Sequence, residues 1–202
     1  MFRLILRIEE KSLEIKGNNM RKKLLFTFLF MAVLVFGFNI KSNAASKEDI
    51  VDYDIEIHVN EDASMDVTEK ITVNAQGIDI VHGIYRDFPT QYKNKTVTFK
   101  INDVTLDGED VKYITEGVSR GVRIKIGSSN SDVPKGLHTY KIEYTTERQM
   151  FFEEDYNELY WNLIGSGWNF DIEECSARIY FPKGTEILED DIKAYVGAYG
   201  DT

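Results

Sequence analysis

The chain has 202 residues, a formal net charge of −10, 43% hydrophobic residues and a single cysteine. This length and composition can bury a real core in one domain or a little more. One cysteine excludes an intramolecular disulfide framework, and the acidity excludes a phosphate-binding surface for nucleic acid. Residues 1–44 hold eight Lys/Arg and three Asp/Glu, leaving 16 against 31, or about −15, for residues 45–202.

Residues 20–44 have the three parts of a secretory signal peptide. Met20-Arg21-Lys22-Lys23 is basic, Leu24 to Phe38 is a mostly apolar run, and Ser42 and Ala44 offer small side chains at −3 and −1 for cleavage after Ala44. An uncleaved anchor helix would need about 20 apolar residues, more than this run supplies. A charged segment such as Glu9-Glu10-Lys11 is foreign to a signal peptide. Met20 is therefore expected to be the true start, and residues 1–19 a mis-annotated extension.

From Tyr53 the apolar pattern takes a period of two. Tyr53, Ile55, Ile57 and Val59 alternate with Asp54, Glu56 and His58, then Asn60–Ala63 supplies turn residues, and Met65, Val67, Ile71 and Val73 alternate with polar neighbours. The pattern predicts a hairpin with one dry and one wet face. Glu69 is the exception, a carboxylate at an inward position. The same period recurs at 97–101, 122–126 and 138–144, with turn residues at Asp107-Gly108, at 127–130 and at 134–136. No long stretch has helical periodicity; only a turn at Glu153–Asn157 is a candidate.

Residues 158–182 contain both tryptophans and the cysteine. Leu159-Tyr160-Trp161 is a bulky strand block and Gly165-Ser166-Gly167 a flexible corner. A second strand runs from Trp168 through Phe170 and Ile172, slips in phase across Glu173 and Glu174, and resumes at Cys175, Ala177, Ile179 and Phe181. Short strands with evenly spaced turns predict an all-β fold, an antiparallel β-sandwich of immunoglobulin-like or related type over residues 50–182.

Cys175 is in phase with core residues, where a thiol stays neutral and inert, and His58, His82 and His138 belong to separate segments with no motif linking them to it or to a zinc ion. No cofactor is expected. Glu153-Glu154-Asp155 and Asp171, Glu173 and Glu174 offer oxygens for weak calcium binding, without the alternating Asp/Asn loop of a dedicated site. Arg86-Asp87, between Tyr85 and Phe88-Pro89, should lie at a sheet end or edge. Arg86 is expected to satisfy a carboxylate, Glu69 or Glu158, and to lock its loop against the Trp161 block. The rival reading makes Tyr85, Arg86, Asp87, Tyr160, Trp161, Asn162 and Trp168 a recognition surface for a glycan or peptide, because Trp, Tyr and Arg dominate recognition.

Gly83-Ile-Tyr-Arg-Asp-Phe-Pro89, Tyr140-Lys-Ile-Glu-Tyr144 and Glu158-Leu-Tyr-Trp-Asn-Leu-Ile-Gly165, followed by Trp168 and Phe181-Pro182, resemble the N-terminal domain of a bacterial family of predicted membrane proteins, domain of unknown function 2207. The resemblance spans about residues 50–200. It implies a signal peptide, an extracytoplasmic β-rich domain and a membrane tether downstream, with no activity attached. Residues 183–202 then read as the start of a truncated further β-rich portion. The expected role is structural, or the binding of an envelope protein or glycan; an extracytoplasmic hydrolase acting on cell-wall glycan or peptide is the alternative.

Overall fold

The structure is a computed structural model that describes residues 2–7, 13–17, 47–92, 95–152, 154, 156–165, 167–187 and 192–196. The expected signal peptide at 20–44 lies outside the described residues. So do Glu153 and Asp155, two of the five residues of the candidate turn at Glu153–Asn157.

The described residues form strands and no helix. In chain order these are β1 (Phe2–Arg7), β2 (Leu13–Gly17), β3 (Ile50–Val59), β4 (Met65–Ala75), β5 (Gly83–Pro89), β6 (Gln91–Tyr92), β7 (Lys95–Thr96) and β8 (Thr98–Leu106). They continue as β9 (Glu109–Asp110), β10 (Tyr113–Val118), β11 (Gly121–Gly127), β12 (Gly136–Glu147), β13 (Met150–Phe152), β14 (Asn157–Asn162), β15 (Ile172–Tyr180) and β16 (Lys193–Val196). One sheet of seven strands runs β2-β15-β3-β4-β12-β8-β9; β10-β11-β5 and β13-β14-β1-β16 are smaller sheets, and β6 pairs only with β7.

The β3–β4 hairpin follows the period-two pattern. Its core positions Tyr53, Ile55, Ile57, Met65, Val67, Ile71 and Val73 are all buried. The turn closes where the Asn60 backbone N–H donates to the Ser64 carbonyl and Asp62 accepts from the Ser64 backbone and hydroxyl, the local bonding that favours such residues in turns. At β3–β15 the pairing departs from the antiparallel expectation. Ile172 aligns with Ile50 and Tyr180 with His58 in a parallel register, because β15 returns to the free edge of β3 running the same way.

Two further expectations are corrected. Gly83–Pro89, read as a loop, is a regular edge strand paired with β11 from Gly83↔Gly127 to Pro89↔Gly121. Pro89 fits because it is the last residue of that strand. Trp168 and Phe170 precede β15 rather than belonging to it; the strand starts at Ile172, and Glu173 and Glu174 are both exposed where the phase slips. Lys193–Val196, within the 183–202 stretch, pairs with β1, which pairs on its other side with β14.

The apolar face of β10-β11-β5 packs on the inner face of the large sheet. Phe88 lies 4.1 Å from Phe99 and 4.9 Å, edge on, from Tyr144 between ring centroids. Ile84, Ile124 and Ile126 join the same core as Tyr140, Ile142, Leu159 and Trp161.

Candidate functional site

β5 alternates strictly, so Ile84, Arg86 and Phe88 point into the core while Tyr85 and Asp87 face out. That alternation puts a guanidinium in an apolar layer, where an unpaired charge would be prohibitive. Glu69, the inward carboxylate of β4, answers it. Arg86 Nε donates to Glu69 Oε2 and Nη2 to Oε1, both at 2.8 Å, with 2% and 0% of the side chains exposed. The Tyr53 hydroxyl donates to Oε2 at 2.6 Å and that of Tyr144 to Oε1 at 2.8 Å. One carboxylate thus accepts four hydrogen bonds, and the planar fork of Arg meets it in the bidentate geometry that a Lys would lack. Burial alone would lower the Arg86 pKa, but the Glu69 charge outweighs it and holds Arg86 firmly protonated. Burial pushes both tyrosine hydroxyls well above their usual range, with the Glu69 charge adding to the shift. Both remain neutral donors.

The third nitrogen of Arg86, Nη1, donates to the Asp87 carbonyl at 2.7 Å, and the guanidinium carbon sits 4.2 Å from the Phe88 ring centroid. Gly165 closes over it. A Cβ on Gly165 would come within 2.0 Å of Arg86 Nη1, and φ is +70°, so the corner after β14 admits glycine for both space and conformation. The Asp87 carboxylate on the outer side takes Arg123 Nε and Nη2 at 2.6 and 2.7 Å. Arg123 and Lys125 flank the exposed Tyr85 ring at 5.4 and 5.5 Å.

Above this network opens a cavity of about 370 Å³, between the end of β5, the β10–β11 turn, the β12–β13 corner and β14. Of the residues singled out from the sequence, Arg86, Asp87, Tyr160, Trp161 and Asn162 line it. Tyr85 does not; it is 58% exposed on the far face of β5. Trp168 is not in the lining either. Its indole N–H donates to the Ile164 carbonyl at 2.8 Å and its ring meets Tyr53 edge on at 6.0 Å. Glu158, the rival partner for Arg86, lies outside the ion pair. Sequence reading missed Lys95, Phe99, Arg120, Tyr144, Arg148 and Phe151, which are also in the lining. Their only signal was two arginines in short polar connections, Ser119-Arg120 and Arg148-Gln149.

The remaining chemical candidates have local roles. Burial pushes the Cys175 thiol up to about 12, aided by the carboxylates of Asp52, Glu69 and Asp54. His58 contacts Glu56 at 2.8 Å and stacks on Tyr180; His82 lies 3.1 Å from Asp132; His138 contacts Asp107 at 2.7 Å and the Pro134 carbonyl at 2.8 Å. Among the described residues no group of three or more His, Cys, Asp or Glu is arranged to hold a metal ion, and Asp171 pairs with Lys47.

Residues 49–198 match the model of the predicted membrane protein (DUF2207) N-terminal domain. The chain belongs to this family. The chain is also similar to the uncharacterized protein YciQ of Escherichia coli (strain K12), 27% identical over 184 residues, or 89% of this chain and 29% of that protein. The chain thus spans less than a third of that relative's length. Among solved structures, yeast LTA4 hydrolase is 13% identical with a TM-score of 0.38 over 48% of this chain and 14% of that one. The M1 zinc metallopeptidase from Deinococcus radiodurans is 13% identical with a TM-score of 0.33, over 51% of this chain and 21% of that one. At these TM-scores neither likeness bears on the fold or activity of the DUF2207 domain. Among the described residues no helix is long and apolar enough to cross a membrane.

Proposed function

We propose that this chain is an extracytoplasmic, non-enzymatic binding domain of a membrane-associated envelope protein. Its two packed sheets would be a β-sandwich of immunoglobulin-like or related type, and the cavity between β5 and the β12–β13 corner its ligand site. The observation that carries this reading is the cavity's floor. Arg86, which lines the cavity, is paired with Glu69 lying behind it, and that carboxylate takes four donors, so this part of the wall is polar yet already paired. Such a wall holds a shape without offering a group to react, as a recognition site requires. An inert Cys175 and histidines engaged at three separate places are consistent with binding rather than turnover.

Support for export comes from the basic and apolar run at 20–44, and for tethering from the family's description as predicted membrane proteins. Alkaline phosphatase fused after Thr202 is expected to be active in cells, since that enzyme folds only outside the cytoplasm, and to lose activity when residues 20–44 are deleted. Equal activity with and without residues 20–44 would overturn the export reading. Release of soluble fragments from purified cell wall by the isolated protein would favour the hydrolase instead.

A further inference from the structure

We infer that the cavity receives an anionic end group, a carboxylate or a phosphate monoester, carried on a compact body that packs against its aromatic wall. The inference rests on the cavity being the ligand site and concerns what it selects. Residues 45–202 carry 16 basic against 31 acidic side chains, so a random patch of this surface should be acidic. The cavity lining reverses the ratio, with Arg86, Lys95, Arg120 and Arg148 against the single carboxylate of Asp87. Asp87 is already neutralised by Arg123, and Arg86 by Glu69. The Lys95 ammonium bonds the Met150 carbonyl and stands 3.9 Å over the Phe151 ring, which keeps its charge at the wall. Among the described residues Arg120 and Arg148, both exposed, make no ion pair.

The backbone supplies a second, independent observation. Arg120 has φ +65° and Arg148 φ +66°, two of only four non-glycine residues with positive φ among those described. Left-handed turn positions ordinarily hold Gly or Asn, and strained residues concentrate at ligand sites. Here both connections that flank one cavity hold an arginine at the left-handed position. The β10–β11 turn brings one guanidinium and the β12–β13 corner the other, so an anion entering between them would meet two cations whose hydration is weak and whose forks suit carboxylate or phosphate oxygens. Tyr144, Phe99 and Trp161 lie on the same wall, which suits a flat or apolar body behind the charge.

The test uses three small probes, phenyl phosphate, phenylacetate and the neutral phenylacetamide, titrated into the purified protein while the arginine and tryptophan side-chain signals are followed by NMR. The expected result is that phenyl phosphate, phenylacetate or both shift the Arg120, Arg148 and Trp161 signals with at least tenfold higher affinity than phenylacetamide. Whichever anion binds tighter identifies the group. The double variant Arg120→Asn, Arg148→Asn keeps residues suited to positive φ and should unfold at the same temperature or higher, yet lose that tenfold preference. Phenylacetamide binding as well as the anions, or a preference retained in the double variant, would overturn the anion inference and leave the cavity as a site. Failure of all three probes to move the Trp161 signal would overturn the site itself.

Discussion

Removing the Arg86 guanidinium would leave the Glu69 carboxylate, wholly buried, with two tyrosine hydroxyls as its partners. An uncompensated buried charge of this kind costs about 3–5 kcal/mol, so Arg86→Ala should lower the unfolding midpoint strongly. Arg123→Ala also breaks a bidentate pair, but one whose Arg side chain is 33% exposed, and about 0.5–1 kcal/mol is expected. Urea unfolding of the two variants side by side checks the ratio; equal losses would mean that the buried pair is not what joins the sheets. Cys175 allows a chemical check at the same scale. With its thiol buried and raised to about 12, alkylation at pH 8 should be slow in the native protein and fast in denaturant. Rapid native labelling would contradict the inward phase of β15.

Among the elements, β5 and the corner after β14 are mutually dependent, since Gly165 occupies the space over Arg86 that any side chain would need. Gly165→Ala forces both a positive φ and a backbone or guanidinium shift, and a loss of about 2–4 kcal/mol is expected. Gly108→Ala is the control. Its φ is also positive, at +88°, but a Cβ there meets open space, so only the conformational term of about 1 kcal/mol should appear. Thermal melts of the pair separate steric contact from backbone strain. If Gly165→Ala melts no lower than Gly108→Ala, the corner does not rest on Arg86.

For the whole molecule, pH acts through the segment leading into β3. Glu48 accepts backbone N–H bonds from Gln76, Ile78, Asp79 and Ile80 at 2.6–3.1 Å, tying the chain before β3 to the loop after β4. Burial would raise its pKa, but the four donors outweigh this and hold it at about 2, against 4.5 as its ordinary value. A carboxyl whose folded pKa is depressed stabilises the fold above the unfolded value and ceases to do so as pH falls to the folded one. The contribution, about 3 kcal/mol, should therefore be complete above pH 5 and nearly gone at pH 2. Glu48→Gln should be less stable than the parent at pH 7 by about that amount, and the two should converge at pH 2. A gap that persists at pH 2 would assign the loss to shape rather than charge.

The sequence by itself determined the β class, the β3–β4 hairpin and the inward placement of Glu69, Cys175 and the Trp161 block. Period-two alternation is a local property, and one buried face leaves no choice of register for Tyr53, Ile55 and Ile57. Sequence also narrowed the partner of Arg86 to two carboxylates. It misread Gly83–Pro89 as a loop because glycine at one end and proline at the other resemble turn punctuation, and β10 escaped notice because its largely exposed side chains carry no alternation. Only the tertiary structure chose Glu69 over Glu158, set β15 parallel to β3, and separated Tyr85 from Arg86 by the thickness of a sheet. It alone brought Lys95, Arg120 and Arg148 around one cavity. Residues from segments far apart in the chain meet there through sheet packing, and no local pattern of hydrophobicity or charge encodes which ends of which strands will come together.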